Sequence, residues 1–298
     1  MSTEGTDRSY AELDLWPTRD VVAAMCEGQL EAAAAVQSQV DAIARAADKA
    51  AERLQNASGR LVYVGAGTSG RLAVLDGVEL EPTFGWNRDR LVFGIAGGLA
   101  ALSGSVEGDE DDEDSARELV RSAGLDRNDV VIGVAASGTT PFTVAAVREA
   151  SAAGALTIGI ASNTNTPLLL ASRHSIFLDT GTELVAGSTR MKAGTAQKIA
   201  LNLLSTAIMV RLGRVHDGLM VDMRVSNRKL RTRAIGIVAE IAGVEREAAE
   251  GALDLAENNI KLASLIASGA DIGEARELLA TSGNHLRTAL AAWRERSR

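Results

Sequence analysis

Five short apolar runs constrain the fold of this chain more than any other feature of its sequence. Each run is followed by a cluster of small residues, mostly glycine, serine, threonine or alanine, and amphipathic stretches with helical spacing separate most of the runs. Continuous apolar strands that alternate with helices predict a parallel sheet covered by helices on both faces. The runs comprise residues 61–64, 91–95, 130–134, 156–160 and 175–178.

Helical patterning flanks this α/β region on both sides. Residues 19–55 are rich in alanine and predict one or two helices, and residues 192–212 predict another helix, followed by a turn over 213–218. Beyond residue 227 the pattern is helical throughout, with breaks at three glycines, Gly243, Gly269 and Gly283. We therefore expect three parts: a helical arm over residues 1–50, an α/β domain over 51–222 and an all-helical domain over 223–298.

Charge and cysteine content exclude several classes of protein. The 298 residues carry 31 basic and 39 acidic side chains, and the resulting net charge of −8 disfavours binding to nucleic acid. The single cysteine, Cys26, allows neither an intramolecular disulfide nor a cysteine-based zinc cluster, and the three histidines have no ligand spacing, so no metal site is predicted. The sequence shows no signal peptide and no apolar run long enough for a membrane span. We expect a cytoplasmic protein without a membrane partner.

A glycine-rich loop follows the first apolar run. Residues 65–70 have the Gly-x-Gly-x-x-Gly spacing of a dinucleotide fingerprint, which also needs an acidic residue at the end of the next strand. The chain has Ile-Ala-Gly-Gly there, over residues 95–98. Two hydroxyls, from Thr68 and Ser69, together with backbone N–H groups at a helix N-terminus, suit a single phosphate monoester. The alternative is a tight turn that needs glycine.

A second hydroxyl-rich loop follows the third run. It contains Ser137, Thr139 and Thr140, and Pro141 stands at an early helical position. An ordinary helix N-cap is the alternative interpretation, but capping needs one hydroxyl and three are present. Because the carboxyl ends of parallel strands meet at one edge of a sheet, the two loops are expected to hold one phosphate together.

Two groups of carboxylates have no role that follows from the residues alone. The acidic run over residues 107–114 is typical of a solvated helix start, where carboxylates complement the helix dipole. Glu79 and Glu81 follow the helix that the glycine loop begins, and Pro82 is expected to end that helix. Surface charge is the simplest interpretation of both groups.

The segment over residues 187–198 combines hydroxyls, cations and glycines just before a predicted helix. Arg190 and Lys192 beside a helix N-terminus form a plausible anion site. Helix capping with solvated cations is the alternative.

These motifs together resemble the N-acetylmuramic acid 6-phosphate etherase family, which is built on the sugar isomerase (SIS) fold. The segment over residues 187–198 is the most specific part of the resemblance, whereas the glycine loop is shared with other SIS proteins. The implied fold is a flavodoxin-like, three-layer α/β SIS domain with a parallel sheet. The likeness extends to about residue 230 and is carried by residues 61–71, 75–76, 79, 82–85, 96–98, 106–108, 135–138, 187–198, 202–206 and 219–222.

The resemblance implies that two glutamates are catalytic. One corresponds to Glu79 and the other to Glu110, and the phosphate would be held by the two hydroxyl loops. Two positions depart from the family pattern, because Glu81 stands where proline is common and Asp109 where a small residue is common. Each departure places an extra carboxylate beside a proposed catalytic one.

The resemblance also implies the reaction, which is cleavage of the lactyl ether of a sugar phosphate by elimination followed by addition of water. Two carboxyl groups suffice for such chemistry, so no metal, nucleotide or redox cofactor is expected. The implied ligand is a small-molecule sugar phosphate, and family members of this kind are homodimers. Two alternatives remain on the same fold: a non-catalytic sugar-phosphate regulator and a sugar-phosphate isomerase.

Overall fold

The computed structural model describes residues 3–104 and 108–297, which form two compact units. The first unit consists of Met1–Val78 and Asp89–Ile208, and the second of Glu79–Arg88 and Met209–Arg298. A short segment from the first third of the chain therefore belongs with the C-terminal residues. The three-part division at residues 50 and 222 stays a prediction.

The first unit is built on a five-stranded parallel sheet, which confirms the arrangement predicted from the apolar runs. Every pairing within it is parallel, and the strand order is β2-β1-β3-β4-β5. Because β1 lies between β2 and β3, the loops that follow these three strands lie side by side at one edge. The strands are β1 (Leu61–Gly65), β2 (Leu91–Ile95), β3 (Val130–Val134), β4 (Leu156–Ala161) and β5 (His174–Phe177).

Helices account for most of the remaining described chain. The N-terminal alanine-rich region forms two helices, and the long helix predicted after residue 192 is present. The α-helices are α1 (Thr18–Gln37), α2 (Val40–Leu54), α3 (Gly67–Val78), α4 (Leu80–Phe84), α5 (Glu113–Ser122), α6 (Pro141–Ala152), α7 (Pro167–Ala171), α8 (Lys192–Arg211), α9 (Arg228–Ala242), α10 (Arg246–Leu255), α11 (Ile260–Ala267), α12 (Ile272–Thr281) and α13 (Leu286–Arg296). Shorter 3-10 turns cover Arg8–Tyr10, Leu13–Leu15, Arg88–Arg90, Gly98–Leu102 and Asp109–Asp111.

The sheet and its helices form three layers. Helices α5, α6 and α7 cover one face, where a Cβ placed on Gly133 would lie 2.5 Å from Val147 of α6. Helices α2 and α3 cover the other face, where Gly65 lies against Gly70 of α3. Strands β1, β3 and β4 are buried along their whole length, as continuous apolar runs require. The expected three-layer α/β architecture is thus confirmed.

One local prediction was wrong, and a second described its region too simply. Helix α3 ends at Val78, before Pro82, and Pro82 lies within α4. Proline is tolerated there because the N–H groups of a first helical turn have no intrahelical acceptor. The turn predicted over residues 213–218 is part of a small antiparallel hairpin formed by β6 (Val215–His216) and β7 (Leu219–Met220). Both of its turn residues, Asp217 and Gly218, have positive φ, as a type I′ hairpin turn requires.

The second unit contains a helical core built mainly from α9–α13, together with the segment Glu79–Arg88. Two hydrogen bonds hold the backbone of this segment: Arg214 donates to the Phe84 carbonyl at 2.6 Å, and the Arg224 N–H donates to the Pro82 carbonyl at 3.1 Å. Gly85, with φ of 60°, approaches the Asp222 carbonyl so closely that a Cβ would lie 2.3 Å from its oxygen. The buried ammonium of Lys261 donates to Asp222 at 2.6 Å.

A buried ion pair joins the amino ends of β1 and β3. Asp129, which is 1% exposed, accepts hydrogen bonds from the backbone and guanidinium of Arg60 and from the Asp126 N–H. Burial opposes ionisation of this carboxyl, but the bonds from Arg60 and the backbone outweigh burial and lower its pKa below 3.8. The charged pair therefore stabilises the native sheet at neutral pH.

Replacing Asp129→Ala is expected to lower the free energy of unfolding at pH 7 by about 3 kcal/mol, because the partly buried Arg60 loses its partner. The pKa of Asp129 is lower in the folded state, so the unfolded chain takes up this proton first. The contribution is therefore complete above pH 3.8 and is lost as the pH falls below that value. Denaturant titrations at pH 7 and pH 3 measure both effects.

The exposed Glu118→Ala variant is the control and should change stability by less than about 0.5 kcal/mol. A gap between Asp129→Ala and the wild type that is as large at pH 3 as at pH 7 would contradict the ionic origin of the effect.

Candidate active site

A cavity of about 410 Å³ opens at the carboxyl ends of β1, β2 and β3. It lies entirely within the first unit, where the loops after these strands converge. Predicted residues from both hydroxyl loops line it, together with one of the two predicted glutamates, Glu110. The polar residues of the lining are Glu4, Thr68, Ser69, Arg71, Glu110, Ser137, Thr140 and Thr189.

At each glycine of the first loop, a Cβ would collide with a neighbouring atom. A Cβ on Gly65 would lie 2.9 Å from the backbone of Gly70, so the end of β1 and the first turn of α3 meet backbone to backbone. Gly67 has φ of 52°, and a Cβ there would lie 2.8 Å from Oε1 of Glu110. The Glu110 carboxylate therefore rests directly on the loop that starts α3.

The first turn of α3 presents backbone N–H groups at the cavity. The helix begins at Gly67, so the N–H groups of its first residues have no intrahelical acceptor and are suited to an anion. Ser69 is 8% exposed and its hydroxyl lies 2.9 Å from Oε1 of Gln197, a fully buried residue on α8. Gln197 thus orients the hydroxyl of this loop.

The second loop is fixed by contacts beneath it. Gly138 has φ of 72° and packs so tightly on Thr166 that a Cβ would lie 2.3 Å from the Thr166 hydroxyl. The amide of Asn163 donates to the Ser137 carbonyl at 3.2 Å. Thr139 directs both its N–H and its hydroxyl to the Ser137 hydroxyl, at 3.2 and 3.1 Å, and is absent from the cavity lining that the described residues form.

The N-terminal segment reaches the same loop. Thr3 is fully buried, and its N–H donates to Oδ1 of Asn163 at 3.0 Å while its hydroxyl accepts from the Asn163 amide at 3.0 Å. Glu4, the next residue, lines the cavity. Asn163 therefore ties the N-terminal segment and the Ser137 loop together.

The acidic run divides into one residue at the cavity and several that belong to a helix start. Asp112 caps α5 by accepting from the Ser115 N–H at 2.9 Å, and both Glu113 and Asp114 pair with Arg117. These side chains match the helix-start interpretation. Glu110 alone of this run lines the cavity among the described residues, and Glu107 lies outside them.

The two cations that were predicted to form an anion site beside α8, Arg190 and Lys192, do not line the cavity that the described residues form. Lys192 is 4% exposed, and its ammonium donates to Glu31 of α1 at 2.9 Å. The helix N-terminus is capped by Glu183, a buried carboxylate that accepts from the N–H groups of Lys192 and Ala193 at 2.9 and 3.0 Å. Arg190 is exposed, and neither cation is in the lining formed by the described residues. A binding role for Arg190 and Lys192 stays a prediction.

Glu79 is the first residue of the second unit. It precedes α4 as its N-cap, is exposed, and accepts from the Thr83 N–H through its backbone carbonyl at 3.2 Å. Glu81, the extra carboxylate beside it, forms an ion pair with Arg224. The charge of Glu81 is thus balanced within the second unit.

Two domain profiles match the chain. Residues 42–151 match the glucokinase regulatory protein N-terminal SIS domain, and residues 113–207 match the SIS domain. The first range includes the glycine loop and Glu110, and the second includes the Thr189 segment. The expected SIS-type fold is therefore confirmed.

Proteins named N-acetylmuramic acid 6-phosphate etherase match nearly the whole chain. The Deinococcus radiodurans protein is 47% identical over 97% of this chain and 94% of its own length. The Streptomyces avermitilis protein is 45% identical, with 98% and 94% covered, and the Mycolicibacterium smegmatis protein is 41% identical, with 98% of each covered. The chain belongs to the N-acetylmuramic acid 6-phosphate etherase family.

Two solved structures resemble the chain at lower sequence identity. A phosphoheptose isomerase from Francisella tularensis is 18% identical with a TM-score of 0.48, and the match covers 66% of this chain and 98% of that one. The sugar isomerase domain of a transcription factor from Sphaerobacter thermophilus is 22% identical with a TM-score of 0.45, and the match covers 65% of this chain and 90% of that one.

The etherase cavity contains residues that sequence reasoning did not single out. Arg71 follows Gly67 by one helical turn, a spacing that places both on one face of α3 and could have indicated it. Thr189 stands in the family-specific segment beside the two cations. Gln197 lies in the same segment, whereas Glu4 reaches the cavity from the distant N-terminal part of the chain.

Over residues 3–104 and 108–297, no cluster of three or more His, Cys, Asp or Glu side chains is arranged to hold a metal ion. Across the same ranges, no helix has the length and apolarity needed to cross a membrane.

Replacing Gly67→Ala is expected to reduce etherase turnover by about 100-fold, because the new Cβ would displace the Glu110 carboxylate by a distance on the order of 1 Å. Release of D-lactate from N-acetylmuramic acid 6-phosphate is the measurement.

Gly181→Ala is the matched control, because Gly181 has φ of 64° but no atom within 4 Å of a Cβ placed there. It carries the same backbone strain without the collision. Equal losses of turnover in the two variants would show that strain, and not the position of Glu110, causes the effect.

Proposed function

We propose that this chain is an N-acetylmuramic acid 6-phosphate etherase, which cleaves the lactyl ether of its substrate to give N-acetylglucosamine 6-phosphate and D-lactate. Relatives with that name at 41–47% identity over nearly the full length support this assignment. The observation that carries it structurally is the placement of the Glu110 carboxylate against Gly67, in one cavity with the start of α3. A carboxylate and an anion-binding helix start then face the same bound molecule.

The phosphate of the substrate is assigned to the two hydroxyl loops. The N–H groups at the start of α3, including that of Ser69, and the hydroxyl of Thr68 supply donors from one side, and Ser137 and Thr140 supply them from the other. Thr139 acts through its bonds to Ser137, which orient that hydroxyl. Holding the phosphate fixes the sugar so that its C2 and C3 atoms meet the catalytic groups in a reactive geometry.

The reaction follows from the acidity of the open-chain sugar. The C2 proton is α to the aldehyde, and the ether oxygen on C3 is β to it, so elimination across C2 and C3 breaks the otherwise unreactive ether bond. We assign Glu110 as the base that takes the C2 proton and Glu79 as the acid that protonates the departing lactate oxygen. Glu79 then takes a proton from the water that adds to C3, while C2 regains a proton. The sequence is redox-neutral and needs no cofactor.

The setting of the enzyme is also a proposal. We infer a cytoplasmic homodimer that acts on a small-molecule sugar phosphate, with a helical arm over residues 1–50, an SIS domain over 51–222 and a helical domain over 223–298. The acidic net charge of −8 supports a small-molecule ligand over a nucleic acid.

Glu79→Ala and Glu110→Ala are each expected to reduce D-lactate release by about 10²- to 10⁴-fold, because each removes a positioned acid or base. In deuterated water, exchange at C2 should survive in Glu79→Ala and disappear in Glu110→Ala. Lactate release and deuterium content at C2 of recovered substrate are the two measurements.

Asp109→Ala is the matched control, because Asp109 neighbours Glu110 and is absent from the lining that the described residues form. The reverse exchange pattern would swap the two roles. A folded wild type that binds the sugar phosphate but releases no lactate would instead identify a sugar-phosphate regulator.

A further inference from the structure

The substrate of the proposed function carries two separate anionic groups, a phosphate and the carboxylate of the lactyl ether. The cavity itself contributes the carboxylate of Glu110, which repels a further negative charge. A site that accepts the lactyl carboxylate therefore needs a cation close to it. Among the described residues that line the cavity, Arg71 is the one cationic side chain.

Arg71 is held in a defined orientation. Its Nε donates to the Ala101 carbonyl at 2.8 Å, and one Nη donates to the Gly104 carbonyl at 2.8 Å. These two bonds fix the plane of the guanidinium against the loop that follows β2. A guanidinium has five N–H donors in a planar fork, so donors remain beyond the two that the loop carbonyls accept. That geometry suits a carboxylate.

The order of the strands separates the guanidinium of Arg71 from the second hydroxyl loop. Strand β1 lies between β2 and β3, so the loops after β2 and β3 lie on opposite sides of the glycine loop. Ser137 and Thr140 follow β3, whereas Arg71 is bonded to Ala101 and Gly104, which follow β2. The cavity thus has a hydroxyl-lined side that suits a phosphate and a guanidinium on the other side.

We propose that Arg71 binds the lactyl carboxylate of the substrate and so distinguishes the ether-bearing sugar phosphate from the same sugar phosphate without the lactyl group. This inference rests on the proposed function, because only that substrate carries the second anion. Glu110 follows β2 in the chain and lines the same cavity, so the residue that binds the lactyl carboxylate and the proposed C2 base share one cavity.

The test compares two ligands that differ in the lactyl group, N-acetylmuramic acid 6-phosphate and N-acetylglucosamine 6-phosphate. In Arg71→Gln, kcat/KM for the first is expected to fall by about 10- to 100-fold, the range for loss of a charged hydrogen bond. The dissociation constant of the second, measured by calorimetry, should change less than about threefold. Arg71→Lys keeps the positive charge but loses the planar guanidinium, so its kcat/KM should lie between those of the wild type and Arg71→Gln. Arg148→Gln, an exposed cation on α6, is the control and should match the wild type.

If both ligands lose affinity or turnover to the same extent, Arg71 supports the 98–104 loop or binds the phosphate, and the proposal is overturned. It is also overturned if neither ligand is affected. If Arg71→Gln does not fold, the wild type still gives the answer with a substrate analogue whose lactyl carboxylate is a neutral amide. That analogue should bind about 10- to 100-fold more weakly than the acid, and equal binding would refute the role. Failure of the proposed function is a different result, because the wild type would then release no D-lactate.

Discussion

The backbone contact between Gly65 and Gly70 determines the geometry of the first unit around its cavity. No side chain separates the end of β1 from the first turn of α3, so the helix starts directly above the sheet edge. The free N–H groups of that turn then point at the space where the loops after β2 and β3 converge. Any larger residue at either position would move the helix start away from the hydroxyls that surround it.

Buried acids keep this arrangement rigid. Asp76 of α3 accepts from Tyr63 of β1 at 2.9 Å and from Asn202 of α8 at 2.5 Å, and so locks the helix to its neighbours. Burial, together with the charge of Asp76 and the hydrogen bond to it, raises the pKa of Tyr63, which keeps this hydroxyl a donor. Glu183 occupies the start of α8 in the same way that an external anion would. The buried carboxylates of Asp76 and Glu183 thus stabilise the structure, whereas the carboxylate of Glu110 is exposed at the cavity.

The parts of the fold that depend on local pattern could be predicted from the sequence. The five strands, the two hydroxyl loops and the long helix after residue 192 all follow from runs of apolar residues and the turn residues that end them. The family resemblance, and not the residues themselves, directed attention to Glu110 within its acidic run. From its residues alone, that run is expected to be a solvated helix start, and for Asp112, Glu113 and Asp114 it is one.

Features that depend on distant contacts could not be predicted. The pairing of Lys192 with Glu31 and the capping by Glu183 join residues whose local sequences give no sign of each other. The hairpin at Val215–Met220 has strands too short to show alternation. The orientation of the Arg71 guanidinium depends on carbonyls of a loop that the sequence does not place, although the spacing of Arg71 from Gly67 puts both on one face of α3.

The segment Glu79–Arg88 has a consequence for synthesis on the ribosome. It carries three apolar residues that are buried in the finished protein, Leu80, Phe84 and Trp86, yet Arg214, which covers Trp86 and binds the Phe84 carbonyl, lies beyond the whole second half of the sheet. At roughly 5–20 residues per second, these side chains emerge roughly ten seconds before that partner is made. During that interval the nascent chain carries an apolar segment that Arg214 does not yet cover. The packing around this segment is completed only when the residues of the second unit have left the ribosome.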